Sequence, residues 1–495
     1  MSTLPHTVWG QAGTAEALVD GDLRLTYAEL RERAERAAGL LVQLGVRPGD
    51  RVVLVGHNTV GWVVTYLAGL RLGAIVSPAN NRLNPAQFRE QCDLLDARVV
   101  AHDGAHEALA RASERQTYRL EDLAACRQPP LAADHPWPGP DDDAVISFTS
   151  GTTGTPKGAV LSHGAILAAA RTIADCAGLN SEDSTLVLVP LFHNTGFNDQ
   201  LGALLAVGGS THLLGRYRTA DALAELRRRP VTYLTAVPSI LRLLMVADDA
   251  AAAYGPARVV LFGGSPMPAA WSEELLTRWP QLVLLHGYGL TEFTSGCTVL
   301  PPDRIITEGE SVGLPFPGVT IQVTREDGTP APAPEGEAGE VWVTGPTRMS
   351  RYWAQPELTA AKISGPWLRT GDLGHLDGDG LLWLSGRVDD VINRGGEKVL
   401  PAHVESKVSA LPAVAEATVF AVPDPVLQER VAVAVILRPT SALDIDAARA
   451  HLLTQLPDYA VPEHWTVLDE LPRTASGKPD RRAITRTFLE RVDSP

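Results

Sequence analysis

The sequence predicts an α/β fold. It would comprise a large N-terminal domain of layered α/β sheets, a small β-rich subdomain and a small α+β C-terminal domain. Three observations predict it. Apolar strand-like runs alternate with stretches of helical period over the first three hundred or so positions. The texture turns β-rich from about Gly313. A separate strand–helix–strand pattern follows "SGRVDD".

The elements follow in order. "LTYAELRERAERAAGLLVQLGV" carries apolar residues at helical spacing, and the "RPGD" turn leads to the strand "RVVLVG". Helix "GWVVTYLAGLRLG", strand "AIVSP", helix "NPAQFREQCDLLDA" and strand "RVVAHD" come next. The Pro-rich "HPWPGPDDD" then enters the strand "AVISFTS". The second stretch repeats the habit with "STLVLVP", "GGSTHLL", "VTYLTAV", "ARVVLFGG" and "LVLLHGYG" as short buried strands, and "TADALAELRRR" as a helix among them. "LDGDGLL" reads as a hairpin turn. In the tail, helices "PAHVESKVSAL" and "DIDAARAHLLTQL" intersperse strands "VAEATVFAV", "RVAVAVILRP" and "HWTVLDEL". The expected domains are 1–388, with the β-rich part at about 313–388, and 389–495.

Composition narrows the function. The chain has 495 residues, 45% apolar and 20% charged, an ordinary globular balance. Its net charge is −15, from 43 basic and 58 acidic residues, which argues against broad nucleic-acid or anionic-membrane binding. Anionic small ligands remain allowed, because local donors bind them. Cys92, Cys126, Cys176 and Cys297 are scattered, with no zinc-type spacing, and fit a reducing cytosol. "MSTLPHTVWG" lacks the basic and apolar regions of a signal peptide. Arg71 and several glycines interrupt the most apolar window. A cytoplasmic location is expected.

The sharpest motif is "FTSGTTGTPKG" at 148–158. It follows the apolar strand "AVISF". Glycines bring backbone N–H groups close to a ligand, Ser and Thr add hydroxyl donors, and Lys157 adds a cation, a set that suits a polyphosphate. Pro156 precedes Lys157 and Gly158 follows it, so this is not the Walker pattern. The bland alternative is a surface loop.

The segment resembles the phosphate loop of the adenylate-forming superfamily, which includes acyl-CoA synthetases, peptide-synthetase adenylation domains and beetle luciferases. Further motifs appear in the family's order. "PLFHNTGF" (190–197) resembles the acyl-pocket motif, and "GGSPM" (263–267) and "YGLTE" (288–292) the adenine and magnesium segments. "TGD" (370–372), "GRVDDVINRGGEKVLPAHVE" (386–405) and "PRTASGK" (472–478) resemble the ribose, hinge and catalytic-lysine segments. Alone, several are weak: Asp372 reads as a turn residue, Lys478 as a solvated loop lysine and His193 as a satisfied core group.

The resemblance implies an AMP-forming acid–CoA ligase. It would use ATP and Mg²⁺ to make an acyl-adenylate from a small carboxylic acid, and then a thioester with coenzyme A. Thr149, Ser150, Gly151, Thr152, Thr153, Gly154 and Lys157 would hold the phosphates. Glu292 would hold Mg²⁺ and Thr291 would touch the α-phosphate. Gly264, Ser265, Pro266 and Tyr288 would frame the adenine, and Asp372 with Arg387 would take the ribose. Lys478 would bridge the carboxylate and the α-phosphate from a mobile C-terminal domain that swings about Asp389, bringing Gly395 and Gly396 to the CoA channel. The acyl pocket would comprise His193, Asn194, Thr195, Asn198, Ala236, Gly263, Gly287 and Gly289.

The family's α-amino-acid enzymes carry an Asp where His193 stands, so an α-amino acid is disfavoured. The polar Asn194, Thr195 and Asn198 favour an aryl or short-to-medium functionalised acid over a long fatty chain. Two alternatives stay open: loading of a separate phosphopantetheinyl carrier protein, and an inactive nucleotide-binding sensor or scaffold. The intact Lys157, Glu292, Asp372, Arg387 and Lys478 disfavour the second. Nothing supports a luciferase-like oxygenase. A homodimer is left open.

Overall fold

The computed structural model describes residues 3–149, 156–265, 267–324, 336–395, 397–473 and 479–492, with Asp389 and Val492 described in backbone only. The chain divides into two compact units, Met1–Ile321 with Val343–Leu368, and Gln322–Trp342 with Arg369–Pro495.

The first unit contains the predicted alternation. Its strands run in chain order as β1 (Glu16–Asp20), β2 (Leu23–Thr26), β3 (Arg51–Val55), β4 (Ile75–Pro78), β5 (Val99–His102), β6 (Gln116–Arg119), β7 (Asp143–Thr149) and β8 (Lys157–Ser162). They continue as β9 (Ser184–Val187), β10 (Ser210–Leu213), β11 (Tyr233–Ala236), β12 (Val259–Gly263), β13 (Val283–Leu290) and β14 (Ser295–Leu300). Most are short Val/Ile/Leu runs buried on both faces, as parallel strands flanked by helices require.

Local signals set the helices. Thr26 and Glu29 form a capping box that opens helix Tyr27–Gln43. Asn84 and Gln87 do the same for Pro85–Leu95, where the proline takes the first helical position. Helix Val60–Leu72 is buried on every side. Its Arg71 is satisfied by Glu35 at 3.1 Å and lies 4.0 Å from the Trp137 ring centre. Among the described residues no helix is long and apolar enough to cross a membrane.

Among the described residues, a nine-stranded sheet contains the run β14-β13-β12-β11-β9-β10-β1-β2, and a seven-stranded sheet contains the run β8-β7-β4-β3-β5-β6. β9 through β13 are mutually parallel, as are β3 through β6. β7 and β8 form an antiparallel pair beside β4.

In the second unit, strand Leu382–Arg387 pairs antiparallel with Trp367–Leu376. "LDGDGLL" is the connecting turn, as expected. Asp377 closes it by accepting from the N–H groups of Asp379 (3.0 Å) and Leu381 (2.9 Å) and from the Trp383 indole (2.7 Å). The tail sheet runs Glu397–Val399, Ile392–Arg394, Gln428–Leu437, Val414–Asp424, with His464–Val467 parallel to Gln428–Leu437. Helix Pro401–Ser409 places Val404 and Val408 in its core. The closing helix Arg481–Val492, which pattern reading did not single out, contributes Ile484 and Phe488 to a second cluster on Phe420.

Burial holds His163, His193, His212 and His286 down at about 4, against an ordinary 6.5. Between those values the unfolded chain binds protons that the folded chain refuses. Stability is therefore intact above pH 6.5 and lost as pH falls through the window, by about 1.4 kcal/mol per pH unit for each histidine. Buried Asp199, raised to about 7, and Asp20, also raised by burial, act in the opposite sense, two groups against four. Unfolding temperature should fall steadily from pH 6.5 to 4.5, and His286→Gln should flatten that slope. An unchanged slope would show that His286 is not held neutral.

Candidate active site

The glycine and hydroxyl loop hangs from an antiparallel pair. Thr149, the last residue of β7, sits opposite Lys157, the first of β8. Ser150, Gly151, Thr152, Thr153 and Gly154 lie outside the described residues. The loop's base is anchored: the Gln355 amide donates to the Pro156 carbonyl at 2.9 Å, and the Trp353 N–H donates to that of Gly158 at 2.8 Å. The residues on either side of these candidates, Thr149 and Lys157, are thus paired with each other.

The acyl-pocket candidates gather at the carboxyl ends of parallel strands. Ala236 ends β11 and pairs with Phe262, and Gly263 ends β12 and pairs with Gly287 of β13. The backbone at β13 is crowded: a Cβ on Gly289 would stand 1.6 Å from the Ser295 carbonyl oxygen, so only glycine fits. Gly264, an adenine candidate beside Ser265, has φ +80°, the left-handed region glycine favours. Pro266 lies outside the described residues. Tyr288 is half-buried one residue before Gly289.

The segment that follows His193 and Asn194 is a π-helix, Thr195–Gly202. Such wide turns recur at functional sites because they re-aim side chains. Gln200 locks it to the sheet by donating to the carbonyls of Thr235 (2.8 Å) and Leu186 (3.3 Å). Asn198 is fully buried on it, and Thr195 is half-buried at its start. Next to Asn198 the Asp199 carboxyl accepts from the Ser295 hydroxyl at 2.6 Å. Burial raises Asp199 to about 7 against the lowering effect of Ser295 and Asn198. His193 stands before the helix with its ring 4.3 Å from that of Phe192. Burial, and then the charge of Arg82, hold it at about 4, so it is an uncharged imidazole at neutral pH.

Asn194 connects these parts. The Ser147 hydroxyl of β7 donates to its amide oxygen at 2.7 Å, and its amide nitrogen donates to the Thr291 carbonyl at 3.4 Å. Thr291 opens a short 3-10 turn that carries Glu292. The Tyr352 hydroxyl donates to Glu292 Oε1 at 2.7 Å, and the Met349 N–H donates to the Glu292 carbonyl at 2.8 Å. A half-buried, pre-oriented carboxylate of this kind fits a hard divalent cation such as Mg²⁺.

In the second unit Asp372 and Arg387 are cross-strand partners, with Arg387 Nε 3.4 Å from Asp372 Oδ1. The Asp372 N–H also donates to the Thr370 hydroxyl at 2.9 Å. Asp389 has its backbone in the 3-10 turn Val388–Asp390. Gly395 has φ +62° and donates its N–H to the Leu427 carbonyl at 2.7 Å. Gly396 and Lys478 lie outside the described residues. The segment carrying Lys478 is flanked by an Arg473–Pro479 bridge, and Arg473 grips both carboxylate oxygens of Glu416 at 2.9 and 2.7 Å.

Sequence reading missed Ser147, Asp199 and Tyr352. Asp199 had a signal, a carboxylate inside the motif that already supplied Asn198. Ser147 and Tyr352 had none, because their roles arise from contacts distant in the chain.

Known proteins resemble this chain in sequence and in fold. Residues 6–353 match the AMP-binding enzyme family and residues 403–478 its C-terminal domain. A feruloyl-CoA synthase of Amycolatopsis sp is 34% identical over 96% of both chains. A 2-succinylbenzoate–CoA ligase of Geobacillus kaustophilus is 34% identical over 98% of both. Among solved structures, o-succinylbenzoate CoA synthetase from Bacillus subtilis, in complex with its acyl-adenylate intermediate, superposes with TM-score 0.88 at 28% identity, covering 98% of each chain. ATP-bound MatB from Rhodopseudomonas palustris gives 0.89 at 28% identity, again over 98% of each.

The chain belongs to the AMP-binding enzyme family, with its large N-terminal and smaller C-terminal domains. It is an AMP-forming acid–CoA ligase, which activates a carboxylic acid with ATP and Mg²⁺ as the acyl-adenylate and passes the acyl group to coenzyme A.

Asn194→Ala removes both hydrogen bonds of the shared amide and should lower unfolding stability by about 1–3 kcal/mol in denaturant titration. A change below about 0.5 kcal/mol would show that the amide is not shared in this way.

Proposed function

We propose that the acid is an aryl or short-to-medium carboxylic acid bearing polar substituents. The observation that carries this is the run of polar residues before and within the π-helix: Asn194, Thr195 and Asn198, with uncharged His193 and the Asp199 carboxyl beside them. Burying an alkyl chain against the Asn198 amide, whose nitrogen and oxygen make no hydrogen bond within the protein, would leave it unsatisfied at about 1–3 kcal/mol. Support comes from two relatives named for aromatic acids, feruloyl and 2-succinylbenzoate. CoA is the acceptor in this reading, rather than a carrier protein.

The chemistry requires two anions, a carboxylate and a triphosphate, to meet. In our reading Lys157 and the loop Thr149–Gly154 hold the β- and γ-phosphates, Thr291 touches the α-phosphate, and Glu292 holds Mg²⁺, which when bound supplies further positive charge. Tyr352 keeps the Glu292 carboxylate aimed. Gly264, Ser265, Pro266 and Tyr288 frame the adenine, while Asp372 accepts from the ribose hydroxyls with Arg387 beside it. Lys478 brings an ammonium group to the carboxylate and the α-phosphate. Catalysis is then positioning and electrostatics. His193 lines the acyl group and the thiol entrance as a wall.

The domain of 389–495 swings about Asp389 between the two half-reactions, withdrawing Lys478 and bringing Gly395 and Gly396 to the pantetheine channel.

A panel of carboxylic acids scored by pyrophosphate release with CoA present tests the substrate class. Functionalised aryl acids should lead, and a preference for unsubstituted long-chain acids would refute it. Tyr352→Phe should raise the half-saturating Mg²⁺ about tenfold, the loss of one charge-assisted hydrogen bond. An unaltered Mg²⁺ requirement removes Tyr352 from that role. Lys478→Ala should abolish adenylate formation yet spare thioester formation from supplied acyl-adenylate. Asp389→Pro should do the reverse, because proline restricts the hinge torsions. Equal loss of both steps in either variant would overturn its assignment.

A further inference from the structure

The two large sheets share a strand order. In the nine-stranded sheet β10-β9-β11-β12-β13 reverses direction of growth at β9, and in the seven-stranded sheet β4-β3-β5-β6 reverses at β3. Parallel α/β sheets open a crevice outside the carboxyl ends of the two strands that flank such a reversal. In the larger sheet the acyl-pocket candidates occupy that position, with His193 and Asn194 a few residues beyond β9 and Ala236 at the end of β11. The equivalent position in the smaller sheet has no part in the reaction described above. There Val55 at the end of β3 pairs with His102 at the end of β5. The chain then continues into Gly56 and His57 on one side and into Asp103 through His106 on the other.

Three ligand-type side chains converge at this point. His57 Nδ1 lies 3.0 Å from Asp103 Oδ2, and His106 Nδ1 lies 2.6 Å from Asp103 Oδ1. One ligand atom from each of the three residues falls within 4.8 Å of the others, the single such cluster among the described residues. The two imidazoles meet edge to face at 4.7 Å between ring centres. Backbone N–H groups hold the carboxylate in place: that of His57 donates to Oδ2 at 2.8 Å and that of His106 to Oδ1 at 3.0 Å. Gly56 backs the carboxylate closely, and a Cβ there would stand 3.2 Å from Oδ2.

We propose that His57, Asp103 and His106 form a site for a divalent transition-metal ion of the zinc class. Two imidazole nitrogens and one carboxylate oxygen make a donor set that suits zinc and leaves a fourth position for water. Tetrahedral zinc, with bonds of roughly 2.0–2.2 Å, holds its ligand atoms about 3.3 Å apart. The three atoms, which lie within 4.8 Å of one another, need therefore close by at most about 1.5 Å in any separation to accept it. Metal entry asks each imidazole only to carry its proton on Nε2. The Asp103 oxygens keep their backbone donors, which become the outer shell that orients the ligand. The His57 side chain is 32% exposed and that of His106 13%, so an ion has a path in, while Asp103 is 6% exposed. Arg119, which reaches toward Gly104, is partnered by Glu121 at 3.6 Å.

The test uses the full-length, tag-free enzyme stripped with chelator and titrated with Co²⁺, whose visible ligand-field band reports coordination. We expect one Co²⁺ per chain, displaced by Zn²⁺, with Zn²⁺ also raising the unfolding temperature. The double variant His57→Gln/His106→Gln should lose the band and the thermal shift while keeping its AMP-forming activity. Circular dichroism matching the parent would show that it has folded. If it does not fold, the single variants His57→Gln and His106→Gln should each weaken Co²⁺ binding. Absence of a band in the parent enzyme, or a band of equal strength in the variants, would overturn the proposal.

Discussion

One buried amide holds the acid-activating half of the molecule together. Asn194 accepts from Ser147 on the strand that leads into "SGTTGTPKG" and donates to Thr291 in the turn that presents Glu292. The strand belongs to the seven-stranded sheet and the turn joins β13 to β14 of the nine-stranded one, and Asn194 itself stands just before the π-helix that Gln200 ties to β9 and β11. A buried amide is costly unless both ends are satisfied, so this residue fixes a mutual position as well as a distance. The polyphosphate candidates, the metal candidate and the acyl wall thereby share one mechanical reference.

The architecture around it explains why the site sits where it does. Parallel strands end together, and their carboxyl ends offer a row of backbone groups that the helices do not cover. The chain uses this arrangement twice, in two sheets with the same order of growth. At the larger sheet the row is stripped of side chains by Gly263 and Gly287. At the smaller it is furnished with imidazoles and a carboxylate.

Much of the fold was legible because it rests on local periodicity. The buried strands are short Val/Ile/Leu runs bounded by Gly, Pro or Asp, and the helices announce themselves with capping boxes at Thr26 and Asn84. The π-helix was not legible: eight residues at neither helical nor strand period carry no pattern, and their geometry comes from Gln200 reaching two strands at once. Site residues clustered in contiguous motifs were named from sequence, and the pairing of Asp372 with Arg387 came out as cross-strand neighbours. Tyr352 escaped because sixty positions separate it from Glu292, and no local rule links a tyrosine to a carboxylate over that span.

The crowding at Gly289 has an evolutionary consequence. With a neighbouring carbonyl where any side chain would begin, position 289 stays pure peptide and can acquire no new recognition group by point substitution. With the acyl pocket proposed above, diversification toward other acids would fall on Thr195, Asn198 and Asp199 instead. Relatives that have drifted to different acids should differ there while keeping the glycine face, and anyone retargeting the enzyme has that short helix as the workable handle.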